Sequence, residues 1–178
     1  MDNRKRYDSN PLRFLIVARG GLLSEYLWYS WIIIDILIGI LICHNIIDIN
    51  LVKIEGFVDA SIAGLSFTLI VVSAALEIFK ESELKELYKH KKDGQLLLEV
   101  LVPYVFTSML FLGLGIISSI APLVTISFPL PFVQIIKYLY FITVILGMIS
   151  LFNVCYDIII NIFNSVRRSV ILDDNKKR

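Results

Sequence analysis

Two carboxylates lie within long apolar segments of this sequence, where an acidic side chain can attract a cation or carry a proton. Asp35 falls inside segment 27–47, and Asp157 falls inside segment 133–163. A carboxylate at the centre of a membrane-spanning helix costs about 2.5 to 3.5 kcal/mol on insertion scales, so it should face protein or water. Each of the two carboxylates therefore has either a packing role with a partner or a role in transport.

Asp157 belongs to a polar stripe on the last apolar segment. At about 100° per residue, the stripe occupies roughly a third of the helix circumference. Hydrocarbon cannot satisfy these groups, so the stripe must face protein or a water-filled path. Small and polar residues also permit close helix packing, and both interpretations remain open. The pore-lining or bundle-facing set, including the separate Asp35, is Asp35, Thr143, Gly147, Ser150, Asp157, Asn161 and Asn164.

Lys89, His90, Lys91 and Lys92 form a compact basic cluster, which suits an anionic ligand. The stretch KESELKELYKHKKDGQ, residues 80–95, is typical of a helical extension of the preceding segment that ends at Asp93-Gly94. Such a cluster is commonly a loop retained in the cytoplasm beside anionic lipid. It is also a candidate docking site for a phosphate-bearing ligand or nucleic acid. The ligand- or lipid-binding candidates are Lys85, Lys89, His90, Lys91, Lys92, Arg167 and Arg168.

Signatures of enzymes and metal sites are missing from the sequence. It contains no HExxH, GxSxG or Walker motif and no glycine-rich dinucleotide turn. Cys43 and Cys155 have no CxxC partner, and His44 and His90 lie in different segments. We therefore expect the protein to be no enzyme and to bind neither a metal nor a cofactor.

The composition predicts a membrane protein. Hydrophobic residues make up 57% of the 178 residues and charged residues 19%, with a mean hydropathy of +0.76. These values lie outside the range of soluble globular domains. Four segments are long and apolar enough to span a bilayer: 27–47, 58–79, 96–120 and 133–163. We predict an all-α integral membrane protein, a four-transmembrane-helix bundle that forms one membrane domain over residues 1–178.

Charge is concentrated in the flanking segments. Residues 1–26 are predicted to form a cytoplasmic interfacial segment with a short helix, and residues 164–178 a cytoplasmic tail. The N-terminal segment, the 80–95 loop and the tail each carry five lysines or arginines, whereas the other loops carry one, Lys53, and none. The positive-inside rule therefore predicts both termini in the cytoplasm, in a multi-pass protein of the cell inner (plasma) membrane.

This orientation predicts the depth of the acidic side chains. One carboxylate from each span is expected in the cytoplasmic half: Asp35, Glu77, Glu99 and Asp157. In an oligomer, copies of these groups would form charged rings that draw cations towards an inner mouth. Separate pairing with cations such as Lys80, Arg19 or Arg167 is the alternative.

The second segment carries a packing pattern. Small and slender residues recur on one side of it: Ala60, Gly64, Thr68, Val71 and Ala75. This spacing lets helix backbones approach closely. We therefore predict that this side of the segment packs against another helix.

The layout of the chain resembles a known kind of protein. A small-rich second segment, the extension LEIFKESELKELYKHKKDGQ, the re-entry LLLEVLVPYVF and a basic tail are similar to small four-span bacterial anti-phage membrane effectors. Within that group the layout resembles the channel effectors of the Hailong system. The resemblance covers most of the chain and assigns no site residue. It implies an oligomeric ion channel held shut by single-stranded DNA oligomers, which a partner nucleotidyltransferase supplies and infection removes.

Three functions follow as hypotheses. The leading hypothesis is a homo-oligomeric pore, with a tetramer as one candidate, whose basic cytoplasmic surface senses a nucleotide or a single-stranded DNA oligomer. Four short spans bury too little to enclose a path in one copy. The second hypothesis is a non-conducting accessory or scaffold subunit that recruits a cytoplasmic partner. The third, a small transporter using Asp35 or Asp157, is weaker because the sequence has no evident inverted repeat.

Overall fold

The computed structural model describes residues 22–78, 95–124 and 129–176. Within these ranges the chain is helical, without strands. The helices are α1 (Glu25–Cys43), α2 (Val58–Ile78), α3 (Gln95–Ile120) and α4 (Leu130–Lys176), with 3-10 turns at Ile49–Leu51, Ile54–Phe57 and Ala121–Leu123. The predicted interfacial helix and the basic cluster at residues 89–92 lie outside the described residues.

Within the described part of the chain, four helices are long and apolar enough to cross a membrane. The qualifying spans are Glu25–Cys43, Ile54–Ala74, Leu101–Leu123 and Leu130–Asn164. Each overlaps one predicted segment, and each reaches the length of about 17 to 25 residues that a bilayer core requires or exceeds it. The structure thus confirms the all-helical class and supports a multi-pass membrane protein.

α1 ends before its apolar sequence does. The predicted segment extends to residue 47, but the helix ends at Cys43 because Asn45 has a left-handed backbone, with φ of 56°. The amides of Asn45 and Ile46 donate to the carbonyls of Ile42 and Leu41, each at 2.9 Å. This pattern satisfies the final carbonyls of a helix and stops it. Hydropathy alone does not register such a cap.

α4 continues beyond its predicted end. It has 47 residues, which at 1.5 Å per residue corresponds to about 70 Å. After Gly147 the sequence contains no glycine or proline that would weaken the helix. The segment 164–176, predicted as a tail, is therefore a direct continuation of the last span.

α2, α3 and α4 pack around a shared core. One buried cluster joins Val71 of α2, Tyr104 of α3 and Val154 of α4. A second cluster contains Phe111 and Leu114 of α3 with Tyr140 and Val144 of α4. These contacts place the side of α4 that bears Val144 and Val154 against the other two helices.

The predicted packing side of α2 lies in this core. Gly64, Thr68 and Val71 are all buried. A Cβ atom on Gly64 would overlap the ring of Phe111, so the glycine is needed for the close approach of α2 to α3. Ala60, at the start of the same side, is exposed. The pattern therefore predicted the centre of the interface correctly and overextended it by one turn.

Candidate functional site

α1 lies along α4 and is joined to it by hydrogen bonds at successive levels. Ser24 Oγ, at the start of α1, donates to Asn153 Oδ1 at 2.9 Å. Farther along, Trp31 Nε1 donates to the Ile142 carbonyl at 3.3 Å. The partners run in opposite directions along the two helices, so α1 and α4 are antiparallel.

The loop after α1 extends this contact to the start of α4. Lys137 Nζ donates to the Asn50 carbonyl at 2.7 Å, and Gln134 Nε2 donates to Asn50 Oδ1 at 3.2 Å. The position of Asn50 is itself supported by Asp48, whose Oδ1 accepts from the Asn50 amide at 2.9 Å. The α1–α4 pair thus has two distinguishable ends, named here the Asn50 end and the Asp157 end.

Asp35 is half-buried between α1 and α4. The hydroxyl of Tyr138 donates to Asp35 Oδ1 at 2.5 Å and also lies 3.3 Å from its main-chain oxygen. Among the described side chains Asp35 forms no ion pair. It is therefore a carboxylate within a span whose observed partner is a neutral phenol.

The part of the polar stripe nearer the N-terminal end of α4 is used in packing. Gly147 is buried, and a Cβ atom there would lie 3.5 Å from both Phe111 and Leu114. Ser150 is also buried, and its hydroxyl donates to the Gly147 carbonyl at 2.8 Å. Thr143 is half-buried and donates to the Leu139 carbonyl of its own helix at 2.7 Å.

The part of the polar stripe nearer the C-terminal end of α4 becomes progressively more exposed. Asp157 and Asn161 are half-buried, and Asn164 is exposed. Asp157 Oδ2 accepts from Asn153 Nδ2 at 3.2 Å. The structure therefore brings Asp157, Asn161 and Asn164 together on one accessible side of α4 and separates them from the packed Gly147 and Ser150.

Asn153 is the main residue missing from the sequence prediction. It is 3% exposed and joins Ser24 to Asp157, because its carbonyl oxygen accepts from one and its amide donates to the other. Its spacing, one turn before Asp157, was a signal available in the sequence. Ser24, Asn153 and Asp157 are called the Asn153 cluster below.

Tyr104 of α3 lies beside this cluster. It is 3% exposed, and its hydroxyl has no hydrogen-bond partner within the described part of the chain. It packs against Val154 of α4, three residues before Asp157. α1, α3 and α4 thus each contribute a polar side chain at the Asp157 end.

Asp35 and Asp157 lie at different depths, so the prediction of a common acidic level is wrong for this pair. Asp35 is level with Tyr138, which precedes Asp157 by about five helical turns, or about 28 Å. The error came from the position of α1 along α4, because Ser24, just before α1, is level with Asn153, so that Asp157 lies beyond the start of α1 and Asp35 lies about three turns inside it. The side chains of Glu77 and Glu99 lie outside the described residues.

The predicted ligand-binding set is represented in the structure only by Arg167, which is exposed on the continuing α4. Lys85, Lys89, His90, Lys91, Lys92 and the side chain of Arg168 lie outside the described residues. The described residues contain no group of three or more His, Cys, Asp or Glu side chains able to hold a metal ion.

Comparisons of the chain with protein-family models, with curated proteins and with solved structures give no match. The resemblance to small anti-phage membrane effectors, which was based on layout, therefore stays a prediction.

Proposed function

We propose that the protein is one subunit of an oligomeric membrane pore, an ion-channel effector of bacterial anti-phage defence, with Asp157 at the inner part of its path. The observation that carries the proposal is the environment of Asp157. This carboxylate lies within the span Leu130–Asn164, is half-buried, and accepts a hydrogen bond from a neutral amide at 3.2 Å. It forms no ion pair with any described side chain.

Pairing with Arg167 is one of the alternatives for Asp157, and the continuity of α4 opposes it. The two residues are ten positions apart on one unbroken helix, which separates their backbones by about 15 Å. Among the described side chains Asp157 has no cationic partner, and an intramembrane carboxylate in such a setting is costly and commonly marks an ion or proton pathway. A passing cation is a partner that would offset this cost.

The polar residues that follow Asp157 on α4 support a water-filled path that leads to its carboxylate. Asn161 and Asn164 continue on the same side of α4 and become more exposed towards the end of the span. Their amide oxygens and the carboxylate provide acceptors for a hydrated cation. One copy of four spans is too small to enclose the path, so the pore requires a homo-oligomer.

The proposal includes the orientation of the chain in the membrane and the way in which a ligand closes the pore. The lysine and arginine distribution supports cytoplasmic termini, which places the Asp157 end at the cytoplasmic face. The basic cluster would then lie on the same side and could hold the pore shut by binding a phosphate-bearing ligand such as a nucleotide or single-stranded DNA oligomer. The effector role in defence is supported by the layout resemblance alone.

A non-conducting accessory subunit is the second candidate. Gly147 and Ser150 favour it, because half of the polar stripe on α4 serves packing within one chain. In such a subunit, the Asn153 cluster would fix α1 against α4, and the basic cluster would recruit a partner.

Ion flux through the purified full-length chain in liposomes tests the proposal. We expect K⁺ flux from the wild type or from a variant with Lys89, Lys91 and Lys92 changed to Gln, in which the gating ligand would be lost. Asp157→Asn in the conducting background should lower cation flux about tenfold, the equivalent of 1.4 kcal/mol. Glu25→Gln removes an exposed carboxylate at the same end of the bundle and is the matched control.

Each outcome of the flux measurement separates the candidates. Loss of flux in Asp157→Asn with flux retained in Glu25→Gln supports the pore. Equal flux in both variants would remove Asp157 from the path. Absence of flux from the wild type and from the triple Lys→Gln variant would favour the accessory subunit.

A further inference from the structure

The hydroxyl of Tyr104 is a buried polar group that lacks a hydrogen bond. The residue is 3% exposed, and its hydroxyl has no partner in the part of the chain that the structure describes. A buried hydroxyl that has lost water and gained no partner destabilises a fold, and such groups are rare in native proteins. Phenylalanine has nearly the same shape and would pack here without that cost. We therefore looked for an acceptor close to the ring.

Tyr104 packs on the turn of α4 that carries Asp157. Val154 of α4 belongs to the same buried cluster as Tyr104, and Ile158 packs against that cluster. Asp157 lies between Val154 and Ile158 in the sequence and about 60° around the helix from Val154. The carboxylate thus projects from α4 next to the residues that the ring of Tyr104 packs among.

The direction of α3 turns the ring of Tyr104 towards the Asp157 end. Tyr104 is grouped with Val154. Ser118, farther along α3, hydrogen-bonds to Tyr140, which comes earlier on α4. The two helices are therefore antiparallel, and α3 begins at the Asp157 end. Because long side chains on a helix point back towards its N-terminus, the Tyr104 hydroxyl leans from the level of Val154 towards Asp157.

Asp157 is able to accept a second hydrogen bond. Its Oδ2 accepts from Asn153 Nδ2 at 3.2 Å, and its Oδ1 accepts from no described residue. Around α4, Asp157 lies between Asn153 and Val154, about 40° from the first and about 60° from the second. Asn153 and Tyr104 therefore flank the carboxylate, one from α4 itself and the other from α3.

We propose that the Tyr104 hydroxyl donates a hydrogen bond to Asp157 Oδ1, so that Tyr104 is a positioning residue for this carboxylate. The last side-chain torsion of an aspartate is soft, so the carboxylate can turn towards α3 while the helices keep their positions. A carboxylate has about four lone-pair sites, and two donors leave the others for a cation. The inference deepens the proposed function at the same site, but the hydrogen bond itself does not require conduction.

A double-variant cycle on the full-length chain tests the hydrogen bond. Tyr104→Phe removes only the hydroxyl, and Asp157→Leu removes the acceptor. We expect Tyr104→Phe to raise the equilibrium constant for unfolding about fivefold in the wild-type chain. In the Asp157→Leu chain the same substitution should leave the constant unchanged or lower it, because the hydroxyl then has no acceptor. SDS titration in mixed micelles measures all four chains.

Tyr140→Phe is the matched control. Tyr140 is also buried between α3 and α4, but its hydroxyl has a partner, Ser118. It precedes Asp157 by 17 positions on α4, or about 25 Å. Tyr140→Phe should therefore raise the unfolding constant by the same factor with Asp157 or with Leu at position 157.

The cycle has two outcomes that would overturn the proposal. If Tyr104→Phe lowers the unfolding constant in the wild-type chain, the hydroxyl has no partner. If it raises the constant equally in both backgrounds, the partner is a group other than Asp157. A purely packing role of the ring would not depend on Asp157 either. Asp157→Ala adds no bulk and repeats the cycle with a smaller side chain.

The hydrogen bond and the pore can fail separately, because the cycle involves no ion flux. Coupling between Tyr104 and Asp157 without flux from any variant would support the hydrogen bond and count against the pore. Flux without this coupling would overturn the hydrogen bond and leave the pore.

Discussion

At the scale of single residues, the Asn153 cluster shows how a buried polar group is satisfied within a span. Asn153 both accepts from Ser24 and donates to Asp157, so one side chain links α1 to the carboxylate on α4. Losing either bond would leave a half-buried polar group, Ser24 or Asp157, without this partner. The amide is therefore a structural partner for Asp157, whether or not Asp157 lines a path.

Asn153→Leu should destabilise the fold. The substitution removes the acceptor of Ser24 and the donor to Asp157, and loss of a hydrogen bond costs about 0.5 to 1.5 kcal/mol, or about 1.5 to 3 kcal/mol when one group is charged. Unfolding in mixed micelles by SDS titration measures the change in free energy. Asn164→Leu is the matched control: Asn164 is exposed on the same helix, so we expect a change within about 0.5 kcal/mol. Equal effects of the two substitutions would contradict the structural role of Asn153.

At the scale of helices, the close approach of α2 to α3 and the positions at which α1 and α4 end determine how the helices are arranged. α2 and α3 meet where Gly64 faces the Phe111 ring, and small residues at regular spacing predicted this contact from the sequence. The sequence did not predict that α1 ends at Cys43 or that α4 extends to Lys176. Both depend on local backbone chemistry, the left-handed Asn45 and the lack of helix breakers after Gly147, whereas hydropathy reports only composition.

Gly64→Ala should weaken the contact between α2 and α3. The added methyl group would overlap the Phe111 ring, and overpacking of this kind typically costs about 1 to 3 kcal/mol. Gly113→Ala is the matched control, because a Cβ atom there meets nothing within 4 Å and a helical alanine is favoured over glycine by about 1 kcal/mol. SDS titration of the two variants should therefore give shifts of opposite sign.

Relief of the overlap provides an internal check on Gly64→Ala. Phe111→Leu in the same chain removes the ring edge that the new methyl group would meet. The double variant should lose less stability than the sum of the two single variants. Strict additivity would mean that Gly64 does not act through Phe111.

At the scale of the whole molecule, the sequence predicted the helix class and four spans but only part of the candidate site. It placed Asp35 and Asp157 in one acidic layer, whereas the antiparallel α1–α4 pair separates them by about 28 Å. It also missed Asn153, since a single amide at helical spacing is recognisable as a linker only when its partner on α1 is known. The depth of a residue in the bundle and its partner on another helix depend on tertiary structure. Helical periodicity specifies only the side of its own helix on which the residue lies.

The two ends of the bundle should lie on opposite sides of the membrane. Lysines and arginines are concentrated in the N-terminal segment, the 80–95 loop and the tail, so positive charge favours the Asp157 end in the cytoplasm. With Cys43 and Cys155 changed to Ser, Lys53→Cys reports the Asn50 end and Arg167→Cys the Asp157 end, since both positions are exposed. A membrane-impermeant maleimide should label Lys53→Cys in intact spheroplasts and Arg167→Cys only after permeabilisation. The reverse labelling would place the basic segments outside the cell and exclude gating by a cytoplasmic ligand bound to them, because the ligand and its proposed surface would then be separated by the bilayer.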